Sequence, residues 1–183
     1  MTLTRSLVRL MLVTAFLLLI PLVAMQFTTE VTWTLFDFVV AGTLLFGTGL
    51  AYELVARLGN TSAYRMAVGA ALAVALLLVW TNLAVGLIGS ENNPANLLYG
   101  GVLAVGLIGA ILARFRPLGM VRTLYAVAFA QALVPVIALV IWRPQIESRG
   151  ILEAFGVTTF FVVLWVGSAL LFRRASAVGS PKN

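Results

Sequence analysis

The 183-residue chain is 62% hydrophobic and 10% charged, with a net charge of +6 and a mean hydropathy of +1.08. It has no His and no Cys, which excludes thiol redox relays, thiolate metal sites, bis-His haem ligation, the usual zinc and iron sites and His-based acid–base catalysis. Its only Lys is Lys182 in the C-terminal tail, so no lysine is placed to hold retinal, and the other basic residues are Arg, set singly or in pairs at the ends of apolar stretches. That distribution fits anionic lipid headgroups as partners and does not fit nucleic acid.

About 20 apolar residues at 1.5 Å per residue cover the ~30 Å hydrocarbon core of a bilayer. Six stretches meet that length: Leu7–Phe27, Leu35–Leu58, Ala63–Gly89, Pro94–Arg114, Gly119–Trp142 and Gly150–Phe172. The expected fold is therefore all-α, a polytopic bundle of six transmembrane helices forming one domain over residues 1–183. The connections are too short to hold a soluble domain with an activity of its own.

Arg5 and Arg9 precede the first stretch, as they would in a signal peptide. The apolar run is longer than a usual signal core, and the small residues needed at both cleavage positions are missing around Leu22, Val23 and Ala24, so a retained helix is expected. Met25 is an alternative start that would remove this helix. The second stretch opens with Thr34 as N-cap and Asp37 at the third helical position, with Trp33 and Phe38 placed as a hydrophobic staple. Glu53 lies near the other end of the same helix, four residues before Arg57. Asp37 and Glu53 are both ionisable groups that a proton or cation path could use, or simply a cap and an i,i+4 partner.

The third stretch carries Ala63, Ala67, Ala71 and Ala75, a small-residue stripe suited to close helix contact. Asn82 sits near its end, below the polar turn Ser90-Glu91-Asn92-Asn93-Pro94-Ala95-Asn96. Several side-chain amides at one mouth could bind a ligand or partner, with Asn82, Glu91, Asn93 and Asn96 as candidates. The Asn-Pro-Ala string resembles the aquaporin signature, but it occurs once, in a short turn, in a chain too short for that fold. Asn93 as N-cap followed by Pro94 at the first helical position explains it. The fifth stretch contains Gln131, the polar residue nearest mid-bilayer, and Pro135 four residues later. Pro135 frees the Gln131 carbonyl beside a buried amide. The pair either makes a kink whose polar groups bond to neighbouring helices or lines a hydrated path.

Orientation follows from the basic residues. Arg5, Arg9, Arg57, Arg65, Arg114, Arg116, Arg122, Arg173, Arg174 and Lys182 fall on one face of the six-span map, leaving only Arg143 and Arg149 on the other. The first face, with both termini, is expected to be cytoplasmic.

The segments Glu30–Phe38, Trp80–Leu97 (WTNLAVGLIGSENNPANL) and Arg114–Met120 resemble those of an uncharacterised family of small bacterial integral membrane proteins. The resemblance spans roughly the second to fifth stretches. It implies a bacterial inner-membrane location and supplies no catalytic or binding residues. The six-span plan is also similar in architecture to stress-associated membrane proteins of the acid-resistance type, which carries no function by itself. The expected function is a non-enzymatic accessory, structural or stress-related membrane component, without cofactor or metal. A small channel or transporter for a cation, proton or small solute is the alternative. Lipids, a second copy or another membrane protein are the expected partners.

Overall fold

The computed structural model describes residues 3–90, 92–142 and 148–178. Among the described residues the chain forms helices α1 (Leu3–Phe27), α2 (Leu35–Ala56), α3 (Ser62–Ala84), α4 (Leu98–Leu112), α5 (Pro117–Trp142) and α6 (Ser148–Val178), with a 3-10 turn at Pro94–Leu97 leading into α4. Among the described residues six helical segments are long and apolar enough to cross a membrane. Glu91, Arg143, Glu147 and Lys182 lie outside the described residues.

By packing, the chain divides into two compact units, Met1–Val55 and Ala56–Asn183. The first unit is the α1/α2 pair. A Cβ added at Gly49 would lie 2.6 Å from Leu10 Cδ2, and one at Gly42 would lie 3.3 Å from Leu18 Cδ1. These pairings run in opposite directions along the two helices, so the unit is an antiparallel hairpin whose close approach depends on glycine. Its start is built as the sequence predicts. Asp37 Oδ2 accepts from both the Thr34 amide and the Thr34 hydroxyl at 2.7 Å, and the Trp33 and Phe38 rings meet edge to face at 5.3 Å.

In the second unit α5 lies between α4 and α6, and α6 also packs along α3. Each seam repeats at three- and four-residue intervals, the spacing of one helix face. On α5 it is Met120, Thr123, Leu124, Val127, Gln131, Val134 and Ala138, and on α6 it includes Thr158, Phe161, Trp165, Ala169 and Phe172. Of the alanine stripe on α3, only Ala67 is fully buried, beside Tyr64, Val68, Val74 and Leu78. Apolar burial drives little helix association in lipid, so these seams rest on close packing and on interhelical hydrogen bonds.

Several helix ends differ from the sequence reading: α1 begins at Leu3, α6 runs on to Val178, and α3 and α4 end early at left-handed turns. The third helix stops at Ala84, five residues short of Gly89, because Gly86 (φ 68°) and Gly89 (φ 71°) take left-handed conformations and turn the chain. The fourth stops at Leu112, before Pro117, because Arg114 (φ 50°) and Phe115 (φ 55°) are also left-handed. Non-glycine residues there cost roughly 1–2 kcal/mol each. The turn is held by the Phe115 amide on the Ala110 carbonyl at 3.1 Å and by the Tyr64 hydroxyl donating to the Phe115 carbonyl at 2.8 Å. Tyr64 is buried, with its ring edge-on to Phe172 at 5.5 Å.

Candidate functional site

The predicted polar residues separate into three places. Asp37 and Glu53 belong to the first unit and sit at opposite ends of α2, about 24 Å apart by helical rise. Asp37 is committed to the cap of its own helix. Glu53 joins the hairpin: Ser6 Oγ donates to Oε1 at 2.7 Å and Arg9 Nη2 approaches Oε2 at 3.3 Å. The Glu53 side chain is only 15% exposed, against 54% for Arg9. Interhelical bonds to a carboxylate this sheltered bind the ends of α1 and α2 together.

The turn between α3 and α4 gathers Asn82, Asn93 and Asn96, and its organising residue is Asn96. The Asn96 Oδ1 accepts from the Leu87 and Ile88 amides, both at 2.9 Å, and its Nδ2 donates to the Ser90 carbonyl at 2.7 Å. Asn82 Nδ2 donates to the Asn96 carbonyl at 3.3 Å, and Asn93 Oδ1 accepts from the Ala95 amide at 3.0 Å. The side chain of Asn96 thus serves the chain's own backbone, since a loop leaving a helix must pair its amides. Asn93 is the expected N-cap, with Pro94 next, but it caps the 3-10 turn. Glu91 lies outside the described residues.

Gln131 is different. It is 0% exposed, and neither its Oε1 nor its Nε2 has a hydrogen-bond partner among the described residues. The same is true of Tyr99 Oη on α4, Thr158 Oγ1 and Trp165 Nε1 on α6, and Asn82 Oδ1 on α3. Tyr99 and Thr158 lie beside one another without reaching hydrogen-bond geometry. By helical rise Gln131 and Thr158 are about 16.5 and 15 Å in from the facing ends of α5 and α6, so they lie at a similar level. Other hydroxyls on these helices satisfy themselves: Ser168, Thr159 and Thr81 donate to the carbonyl four residues back, at 3.0, 2.8 and 2.8 Å. Thr158 does not.

Leaving a buried polar group unpaired costs roughly 1–3 kcal/mol. Several such groups together would offset a large part of a net stability of about 5–15 kcal/mol. A polar partner beyond the described residues, whether water, a small solute or another part of the chain, would resolve the conflict. Sequence reasoning found Gln131 and Asn82 but missed Tyr99, Thr158 and Trp165, which sit in an apolar face and read there as ordinary packing residues. The detectable signal was spacing: Thr158, Phe161, Trp165 and Ser168 share one α6 face and put a polar atom at three of four positions.

Among the described residues, no charged side chain of this unit is buried and no group of three or more acidic side chains could hold a metal. Comparison of the chain with protein-family models, curated proteins and solved structures finds no match. The function is therefore read from this geometry.

Proposed function

We propose that this protein is a non-enzymatic, multi-pass component of the bacterial cytoplasmic membrane, termini inside, whose α3–α6 unit takes up water or a small neutral polar solute. The observation that carries the reading is Gln131, fully buried with both amide atoms unserved by the described residues. A direct bond from Gln131 to a neighbouring helix would have favoured a purely structural kink. A neutral solute fits better than a cation or proton because the buried polar groups among the described residues are amides, hydroxyls and an indole N–H, with no carboxylate among them. Such groups stabilise a dipolar guest and offer an ion no compensating charge. The bacterial location rests on the sequence resemblance and the orientation on the arginine distribution. The non-enzymatic reading rests on a chain without His or Cys whose Asp37 and Glu53 are engaged in holding helices.

A second reading, an accessory component that assembles with another membrane protein, is favoured by the α1/α2 hairpin. Its apolar side chains, among them Met11, Leu12, Phe16 and Phe36, are 61–73% exposed.

Proteoliposomes separate the two readings. Under an osmotic step, vesicles holding the protein are expected to relax faster than empty ones for water or for glycerol-sized solutes, and Gln131→Leu is expected to remove the difference. Relaxation equal to that of empty vesicles for every solute, together with a stoichiometric membrane-protein partner on purification in mild detergent, would replace transport with the accessory reading.

A further inference from the structure

The outer side of the α4/α5 seam carries a feature that the polar cluster does not use. An open groove of about 550 Å³ runs along it, walled by Val105, Ile108 and Leu112 of α4 and by Arg122 and Ala126 of α5. Its floor is narrow because the two helices nearly touch. A Cβ on Gly109 would lie 2.6 Å from Thr123 Cγ2, and one on Gly119 2.7 Å from Ala113 Cβ. With nothing larger at the floor, Ile108 and Leu112 stand out as a wall, 58% and 78% exposed. From Leu112 to Val105 the wall is about 10 Å long by helical rise, most of the ~15 Å depth of one leaflet's hydrocarbon. Arg122 is exposed and has no hydrogen-bond or ion-pair partner among the described residues, and no acidic side chain lines the groove. Arg114 and Arg116, also exposed, stand in the adjoining turn.

An unpaired cation at one end of an apolar trough is complementary to one kind of molecule: an acyl chain carrying an anionic headgroup. We propose that this groove binds one anionic phospholipid, its acyl chain along Val105, Ile108 and Leu112 and its phosphate on Arg122. The inference rests on the membrane placement, and it is independent of the solute reading because the groove lies outside the buried polar cluster. A guanidinium holds phosphate through a planar pair of donors, so Arg suits this position better than Lys. A water-soluble anion would use Arg122 alone and leave the apolar wall without a role.

The test is native mass spectrometry of the full chain in mild detergent, titrated with phosphatidylglycerol or with phosphatidylcholine of identical acyl chains. The first phosphatidylglycerol is expected to bind at least about five-fold more tightly, the effect of roughly one well-placed basic residue at a membrane surface. Arg122→Gln should erase that preference, and Arg116→Gln, in the turn but outside the lining, should largely keep it. Ala126→Phe fills the trough without changing charge, and should weaken the first lipid of both kinds while the melting temperature holds. Equal loss in the Arg122 and Arg116 variants would mean diffuse surface charge and overturn the site. So would unchanged binding in Ala126→Phe, or displacement of the lipid by glycerol 3-phosphate, which marks a soluble-anion site. Detergent binding reads the groove whichever way the chain is oriented. An error in the membrane map would appear separately in reporter fusions.

Discussion

Gln131→Leu is expected to leave the fold at least as stable as it is now, although it alters a residue with no exposed surface. Leucine is close to glutamine in volume and places no polar atom on the packed face of α5. Were the amide bonded to a neighbouring helix, replacing it would orphan that partner and cost about 1–3 kcal/mol. Neither Gln131 Nε2 nor Oε1 has such a partner among the described residues, so none of those residues is orphaned. The gain is the removed cost of two poorly served polar atoms, less whatever water or solute returns to them, leaving a net change of about 0–2 kcal/mol in favour of the variant. For a chain of 150–250 residues 1 kcal/mol moves the melting temperature by about 2–4 °C. The variant should thus melt between the wild-type temperature and roughly 8 °C above it, in one detergent and by one probe, while its osmotic response is lost. A fall of more than about 3 °C would refute the reasoning, because it would mean that the amide holds another helix.

Asn96→Ala should be among the most damaging single changes. It strips the acceptor from the buried Leu87 and Ile88 amides and is expected to cost about 2–4 kcal/mol, read as a thermal shift of roughly 4–16 °C. Tyr64→Phe removes only the bond to the Phe115 carbonyl and should cost about 1 kcal/mol, seen as a shift of about 2–4 °C with the helix content unchanged by circular dichroism. Because the chain has no cysteine, a Leu10→Cys/Gly49→Cys variant should form its disulfide under mild oxidation, and adding Glu53→Leu should lower the yield. No change in yield would mean that the Glu53 bonds do not hold the hairpin. Reporter fusions at Asn60 and Lys182 should read cytoplasmic and those at Asn92 and Ser148 external; an inverted reading at Asn92 would overturn the orientation.

The spans were legible because hydrocarbon thickness imposes a length that apolar composition reveals, and the start of α2 was legible because capping is local chemistry. Thr34 and Asp37 name their own bonds three residues apart. The ends of α3 and α4 were not. Gly86 and Gly89 are read as ordinary small residues of an apolar helix until Asn96, several residues on, is seen to collect the Leu87 and Ile88 amides. Arg114 and Phe115 carry no sign of a left-handed turn, because what holds them there is the Tyr64 hydroxyl, distant in sequence. The candidate site divides in the same way. Gln131 is conspicuous as an amide amid apolar neighbours. Tyr99, Thr158 and Trp165 have side chains that pack as well as they bond, and only the seams of the fold turn their polar atoms inward without partners.

The central claim is that the Gln131 amide is served from outside the chain, and glutamine-selective ¹⁵N NMR in nanodiscs tests it at the atoms concerned. The chain has three glutamines, Gln26, Gln131 and Gln145, and Gln131→Leu assigns the signal by its disappearance. The account predicts a cross-peak between the Gln131 side-chain NH₂ and water that is lost when a bound neutral solute displaces it. A side-chain NH₂ protected from exchange, with its only close contacts to a carbonyl or hydroxyl on a neighbouring helix, would contradict it.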